Sequence, residues 1–508
     1  MKAKRSFRNV ISATLFQGTV LILGFIIPKL TINNYGSEIN GFMSLVSQIY
    51  VYFTLLEAGI GTPLIQALYY PILKNDKNQI SGIVNAGRAY YIKIATYYSA
   101  AVLIFSLLLP FFLKTDISKK EIFAYFLIFG VSNIVNFLVA ESYKLLLIAE
   151  GKSYVDTNIR MIFHTILQIA KVVMIAMCLN IVVLQTVYSA INMVQIAVYL
   201  LYFRKNYSWI DKSAAPLFEK IKQRGAFFAQ QISDLVFSCT DIVIISFFCN
   251  LKMASVYAIY MMIYNVIRVW LSNISSSTKF ILGQTYAEGN KEKYLKIHRA
   301  YESVFVTVSS IVFTSVGILA IPFLRIYTNG ITDANYIDIV MPLMLSANSI
   351  LSAFRTSSIH LINISFNAKK AMPRSILEAA INLVLTLIFV PIWGIRGALL
   401  GTGIALIYRV IDLLFYANRE ILKTSVRKPL VLYLSNFFAF LLMYTLGTKQ
   451  WYTANTYFDL FPFAIIVFFV TSIVFVGINF VIDIGQGKYI YKYAYMKITT
   501  LKKKNAQG

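Results

Sequence analysis

IRMIFHTILQIAKVVMIAMCL, residues 159–179, and IVVLQTVYSAINMVQIAVYLLYF, residues 181–203, are separated by a single residue, Asn180. Each run has the roughly 20 apolar residues that an α-helix needs to cross a hydrocarbon layer of about 30 Å. One residue between them leaves no room for a soluble segment. The pair reads as a tight helical hairpin with both arms in a membrane. SILEAAINLVLTLIFVPIW, residues 375–393, and RGALLGTGIALIYRVIDLLFYA, residues 396–417, repeat the pattern.

Outward from these hairpins, the same criterion predicts fourteen spans. They are 10–31, 40–68, 90–113, 122–147, 159–179, 181–203, 226–249, 254–284, 301–324, 337–363, 375–393, 396–417, 430–447 and 461–482. The second and eighth are polar in their later halves (GIGTPLIQ, SNISSSTK), so they are expected to run past the bilayer as helix. No small-residue cleavage site follows the first span, which is therefore expected to stay in the mature chain. Composition agrees. Of 508 residues 58% are apolar and 14% charged, against about 25% charged in soluble domains. A single soluble core stops growing near ~250–300 residues, so lipid must solvate much of this surface. The three cysteines, Cys178, Cys239 and Cys249, lie in apolar stretches without a C-x-x-C pair, so no metal site is expected.

The net charge of +25 comes from 47 Lys+Arg against 22 Asp+Glu. In a soluble protein it would suggest nucleic acid. Here its placement decides. With the N-terminus inside, alternate loops and the tail collect 32 basic residues and the opposite loops eight, with seven inside spans. This is the positive-inside pattern, with both termini cytoplasmic. No ATP-binding Gly-rich loop ending in Lys-Ser/Thr occurs, and no loop is long enough for a catalytic domain. No catalytic residues are expected.

The chain also reads as an internal repeat. YYPILKNDKNQISGIVNAG (69–87) and QTYAEGNKEKYLKIHRA (284–300) follow comparable long spans, and an offset of 216 sets Asn75-Asp76-Lys77 on Lys291-Glu292-Lys293. A similar offset lays the first hairpin over the second. The expected fold is an all-α polytopic membrane protein of about fourteen transmembrane helices. Two six-helix parallel-repeat bundles, an N-lobe and a C-lobe, surround a central cavity, and two extra helices follow. The expected segments are 1–205, a cytoplasmic linker 206–225, 226–420, and 421–508 with a basic tail. Parallel repeats of this kind are a transporter pattern.

SSSTKFILGQTYAEGNKEKYLKIHRA, residues 275–300, resembles the loop after the eighth helix of the multidrug/oligosaccharidyl-lipid/polysaccharide (MOP) flippase superfamily. There a helix end leads into a GN-x-E/D-K turn and a basic amphipathic helix. ALYYPILKNDKNQISGIV (67–84) is similar to its degenerate partner, and residues 7–45, FRNVISATLFQGTVLILGFIIPKLTINNYGSEINGFMSL, resemble the start of a polysaccharide-biosynthesis flippase. The resemblance implies a flippase that carries a polyprenyl-pyrophosphate-linked oligosaccharide to the outer leaflet, for O-antigen, capsule or exopolysaccharide assembly. It implies a bacterial cytoplasmic membrane, a functional monomer, no nucleic acid, and a polysaccharide polymerase and glycosyltransferases as neighbours. No cofactor is expected; the drive would be an H+ or Na+ gradient, the membrane potential, or consumption of the product outside.

Ionisable residues deep in a span cost at least ~2.5–3.5 kcal/mol and mark function by default. Arg268, Arg355 and Lys171 have no acid within four residues on their own helices. They are the candidates for an anionic substrate, because Arg binds phosphate bidentately and Lys acts as a point charge. Asp234 and Asp241, seven apart on one face, are candidate ion-coupling or counter-charge groups, with Glu57 and with His164, which shares a face with Lys171. Glu141/Lys144 and Arg409/Asp412, at i,i+3, read as self-paired neighbours, and Arg374 and Glu378 as snorkelling residues. The alternatives are a cation-coupled drug antiporter of the same superfamily, which wants an acidic cavity, and a membrane-embedded glycan polymerase or glycosyltransferase, which wants a larger outer loop.

Overall fold

A computed structural model describes residues 2–57, 60–221, 224–365, 367–449, 454 and 456–482. The basic tail, the loop near 452 and the side chain of Asp234 lie outside the described residues. The described chain is all-helical. In order, the helices are α1 (Lys2–Phe53), α2 (Gly61–Lys74), α3 (Lys77–Phe112), α4 (Lys119–Val139), α5 (Glu141–Ala149), α6 (Ser153–Ala176), α7 (Ile181–Asn206) and α8 (Arg224–Phe248). They continue as α9 (Leu251–Ala287), α10 (Lys291–Tyr327), α11 (Val340–Phe354), α12 (Thr356–Ile364), α13 (Ala368–Trp393), α14 (Ile395–Phe415), α15 (Arg427–Gly447) and α16 (Tyr457–Ile482). Among the described residues, eleven helical stretches are long and apolar enough to cross a bilayer. The protein is a multi-pass membrane protein.

Each predicted span meets helix, but three are not single rods. The span at 40–68 is broken by a tight turn at Thr54–Glu57 before α2 begins. The span at 122–147 divides at Ala140 into α4 and α5, and that at 337–363 divides at Arg355 into α11 and α12. Apolar periodicity cannot see such joints, because one misplaced residue barely disturbs it. Conversely, α1 runs through two predicted spans and bends at Gly36, whose φ of 85° is left-handed. Glycine adopts that conformation without steric cost. The loop residue Asp333 meets the bend: its carboxylate accepts the Ser37 amide at 2.7 Å and the Ser37 hydroxyl at 2.7 Å.

Two compact units result, one of residues up to Ala258 plus Gly330–Ala334, the other of Ile259–Asn329 and residues from Asn335 onward. In the first, α1 packs on α6 and α8, and α4 on α3 and α7. Helix α8 thus packs with the first unit. The segment after α7, the predicted linker, is folded against α3: Asn85 donates both amide hydrogens, to the carbonyls of Asp211 and Ala214, at 2.9 Å each. In the Asx turn beside it, the Ser213 hydroxyl and amide hold the Asp211 carboxyl below the usual range. In the second unit α10 packs on α11, α15 and α16, and α11 on α14.

The hairpin α13–α14 is the closest helical pair. A Cβ on Gly397 would lie 2.2 Å from the Phe389 carbonyl oxygen across the turn. Overpacking of this kind costs typically ~1–3 kcal/mol. Gly397→Ala is expected to lower the melting temperature of the detergent-purified protein; an unchanged Tm would show that the two helices can part without loss.

Several elements begin at recurring offsets. Ser37 after the bend and the start of α9 at Leu251 are 214 apart, as are the starts of α3 and α10, Lys77 and Lys291, and of α7 and α14, Ile181 and Ile395. The starts of α6 and α13, Ser153 and Ala368, are 215 apart, and so are the joints Ala140 and Arg355. The helix caps set the register: Asp76 accepts the Gln79 amide at 3.0 Å and Asn290 accepts the Lys293 amide at 2.9 Å. They place Asp76 opposite Asn290, two residues from the alignment that the charges suggest.

Candidate functional site

The second unit holds a half-open cavity of about 270 Å³. Helix α9 presents Arg268, Leu271, Ser272, Ser275 and Ser276, and α11–α12 presents Ser349, Ser352, Ala353, Thr356 and His360. Spacings of three, four and seven put each set on one helical face. Phe305 and Phe313 of α10 close the wall. Arg268 Nη2 donates to Ser349 Oγ at 3.2 Å. Ser275 Oγ lies 2.6 Å from His360 Nε2 and 2.9 Å from Tyr301 Oη. The wall is one guanidinium, one imidazole and six hydroxyls, with no carboxylate among the lining residues. Chemically, it offers hydrogen-bond donors to an anion. Drug-sized ligands fill about 300–1,000 Å³, so this cavity suits a smaller group, such as a diphosphate.

Arg355 is placed differently. It sits at the α11–α12 joint and donates to Glu378 of α13. Arg409 of α14 approaches the other Glu378 oxygen at 3.2 Å, donates to Asp412 at 3.0 Å and to Ser375 Oγ at 2.8 Å, and Asp412 also accepts Arg374. Three guanidiniums and two carboxylates form one chain across α12, α13 and α14. Glu378 is only 5% exposed, so it does not snorkel. The acid that Arg355 lacks on its own helix comes from another. Arg268 is therefore the arginine that lines the cavity.

The first unit holds the remaining candidates. Glu57 lies within electrostatic reach of Glu141 and Lys144. Lys144 Nζ bonds Asn136 Oδ1 at 2.6 Å and Glu141 at 3.3 Å, and lies over the Tyr199 ring at 4.7 Å. Lys171 lies 5.4 Å over the ring of Tyr188, and His164 bonds Gln168 at 3.0 Å one turn along α6. Asp241 is buried and accepts Tyr257 Oη at 2.7 Å. Of the residues that sequence reasoning grouped, Arg268 and Arg355 belong to one unit, and Lys171, Asp241, Glu57 and His164 to the other.

It also missed two groups. Glu302 is buried at 2% exposure and accepts Tyr433 Oη at 2.7 Å, Ser357 Oγ at 3.1 Å and Arg299 at 2.9 Å, tying α10 to α12 and α15. The second is a polar cavity of about 260 Å³ bordered by α4 and α7, with Ser132, Asn133, Asn136, Asn192 and Gln195 in its wall. The signal was present: neutral polar residues at helical spacing inside apolar spans. A search for charges passes over it.

No family model and no curated protein matches this sequence. Solved structures do. An inward-facing multidrug resistance MATE family transporter of the MOP superfamily is 15% identical, at a TM-score of 0.64, over 85% of this chain and 96% of that one. The lipid II flippase MurJ in an inward closed conformation is 14% identical at a TM-score of 0.64, over 94% and 99% of the two chains. A MATE structure in complex with MaD3S is 14% identical at 0.56, over 84% and 97%. The chain is a multi-pass membrane protein with the fold that these structures share.

Proposed function

We propose that the chain is a flippase that moves a polyprenyl-pyrophosphate-linked oligosaccharide from the cytoplasmic to the outer leaflet of a bacterial cytoplasmic membrane, for surface polysaccharide assembly. The observation that carries this reading is the cavity of the second unit, where Arg268 and His360 stand among serine hydroxyls without a lining carboxylate. A guanidinium in a hydroxyl-lined pocket matches the oxygens of a diphosphate. Full-length alignment with the lipid II flippase MurJ supports it. Fourteen crossings follow if α1 is counted as two arms and each jointed helix as one. The recurring offsets of 214 and 215 support six crossings per repeat, with α15 and α16 added. Transport proceeds by alternating access, without a cofactor, coupled to H+ or Na+ through Glu57, Asp234, Asp241 or His164. The basic loops support a cytoplasmic side for both termini, and the monomer is the working unit in this reading.

A drug or cation antiporter is the second reading, favoured by the MATE structures and by the proximity of Glu57 to Glu141. A strain lacking the gene separates the two. The flippase reading expects lost surface glycan and lipid-linked glycan accumulating inside; normal surface glycan with raised sensitivity to lipophilic cations would overturn it. Topology has its own check. Cysteines near residues 36, 117 and 330 should react with an impermeant maleimide in whole cells, and cysteines near 75, 215, 290 and 425 only after permeabilisation. Labelling at 215 from outside would reverse the orientation.

A further inference from the structure

The cavity bordered by α4 and α7 in the first unit has a composition unlike that around Arg268. Residues 129, 132, 133 and 136 form one face of α4, and 188, 192, 195, 196 and 199 one face of α7. The two helices pack together, so the faces meet. Four primary amides line about 260 Å³, with Phe129, Tyr188 and Tyr199 beside them; Asn136 is held by Glu141 and Lys144, and Asn133 donates one hydrogen to Tyr98 Oη at 2.9 Å. Each amide offers two donors and an acceptor. The single cation in the wall, Lys144, is already held by Glu141 and Asn136, at 3.3 and 2.6 Å. Ser132, only 7% exposed, lines the cavity, and its hydroxyl has no hydrogen-bond partner among the described residues. A buried polar atom left without a partner costs roughly 1–3 kcal/mol, and a ligand hydroxyl would remove that cost.

We infer that this cavity is a carbohydrate subsite, which holds a sugar residue of the cargo through the amides of Asn133, Asn192 and Gln195 beside the aromatic residues of its wall. An anion would need an unengaged cation, and Lys144, the only cation among the described lining residues, is paired. A lipophilic cation would need a lining carboxylate, and none borders the cavity. Paired donors and acceptors beside aromatic faces match a molecule with vicinal hydroxyls on one side and C–H groups on the other. Lys171 supports the wall from behind: its ammonium lies over the Tyr188 ring. The inference rests on the flippase reading for its choice of cargo.

The test uses the full chain, purified in detergent, with Cys178→Ser, Cys239→Ala, Cys249→Ala and one introduced cysteine, Asn192→Cys or, in the other unit, Ser352→Cys. Probes are a panel of neutral hexose, N-acetylhexosamine and deoxyhexose disaccharides, inorganic pyrophosphate, and tetraphenylphosphonium. At least one disaccharide should slow N-ethylmaleimide labelling at 192, and pyrophosphate should not. Asn133→Leu should weaken that protection about tenfold, the worth of one well-made hydrogen bond. If the Asn192→Cys protein does not fold, the Tm of the wild-type chain should rise with the same disaccharide, and Asn133→Leu should remove the rise. Protection at 352 by pyrophosphate, with no disaccharide acting at 192 or on the Tm, would overturn the carbohydrate subsite and leave the flippase reading standing. Protection at 192 by tetraphenylphosphonium alone would overturn it in favour of a cation site.

Discussion

Arg268→Ala is expected to abolish glycan export while leaving the protein in the membrane at normal amounts. Arg268 is half-buried and donates to Ser349 Oγ at 3.2 Å. The anionic cargo loses its guanidinium in a pocket without another one. Losing one partner of a desolvated charge pair costs about 2–5 kcal/mol, or roughly 30-fold and upward in binding. Arg268→Lys should keep partial export, because the charge survives and the bidentate fork does not. Ser349→Ala, a neutral hydrogen bond, should cost only about 1 kcal/mol. Surface glycan measured against membrane protein on blots separates these outcomes. Full export by Arg268→Ala would remove the anion-binding role.

Glu378→Ala should act on stability instead. Its carboxylate holds Arg355 and Arg409 together from a site only 5% exposed. Removing one member of a buried ion pair costs about 3–5 kcal/mol, because it strands the opposite charge. Folded yield in detergent should fall sharply, and Tm with it. Replacing Arg355 and Glu378 together by leucine should recover most of the loss, since Arg409 keeps Asp412 at 3.0 Å, and well-packed apolar substitutes for a buried pair are often neutral. The same double variant decides the role of Arg355. Export by a stable double-leucine protein marks Arg355 as a positioning residue at the joint between α11 and α12. A stable protein that does not export makes it a substrate cation alongside Arg268.

How much of this was legible in the sequence varies with the kind of signal. The hairpins at 159–203 and 375–417 were plain, because lipid demands about 20 apolar residues per crossing and one intervening residue can only be a turn. Helix α8 was placed by its apolar run, but its packing with α1 depends on contacts remote in sequence. Unpaired cations were found because ionisable residues stand out against hydrocarbon. Their partners were not: Arg355 and Glu378 are 23 residues apart and meet only when α13 packs beside α12. Reading Glu378 as snorkelling failed for that reason. The joints at Ala140 and Arg355 carry no glycine or proline, so no local residue announces them. The serines of α9 and the amides of α4 and α7 are neutral, and a charge-based search passes over them although they hold the helical period.

The most direct measurement is translocation by the purified full-length chain in liposomes, with a fluorescent polyprenyl-pyrophosphate-linked sugar as cargo and wild-type beside Arg268→Ala. The wild-type protein is predicted to expose the inner-leaflet cargo to an impermeant quencher well above the protein-free rate, and Arg268→Ala to return it to that rate. No translocation by a correctly folded wild-type protein, or equal translocation by the two, would contradict the account.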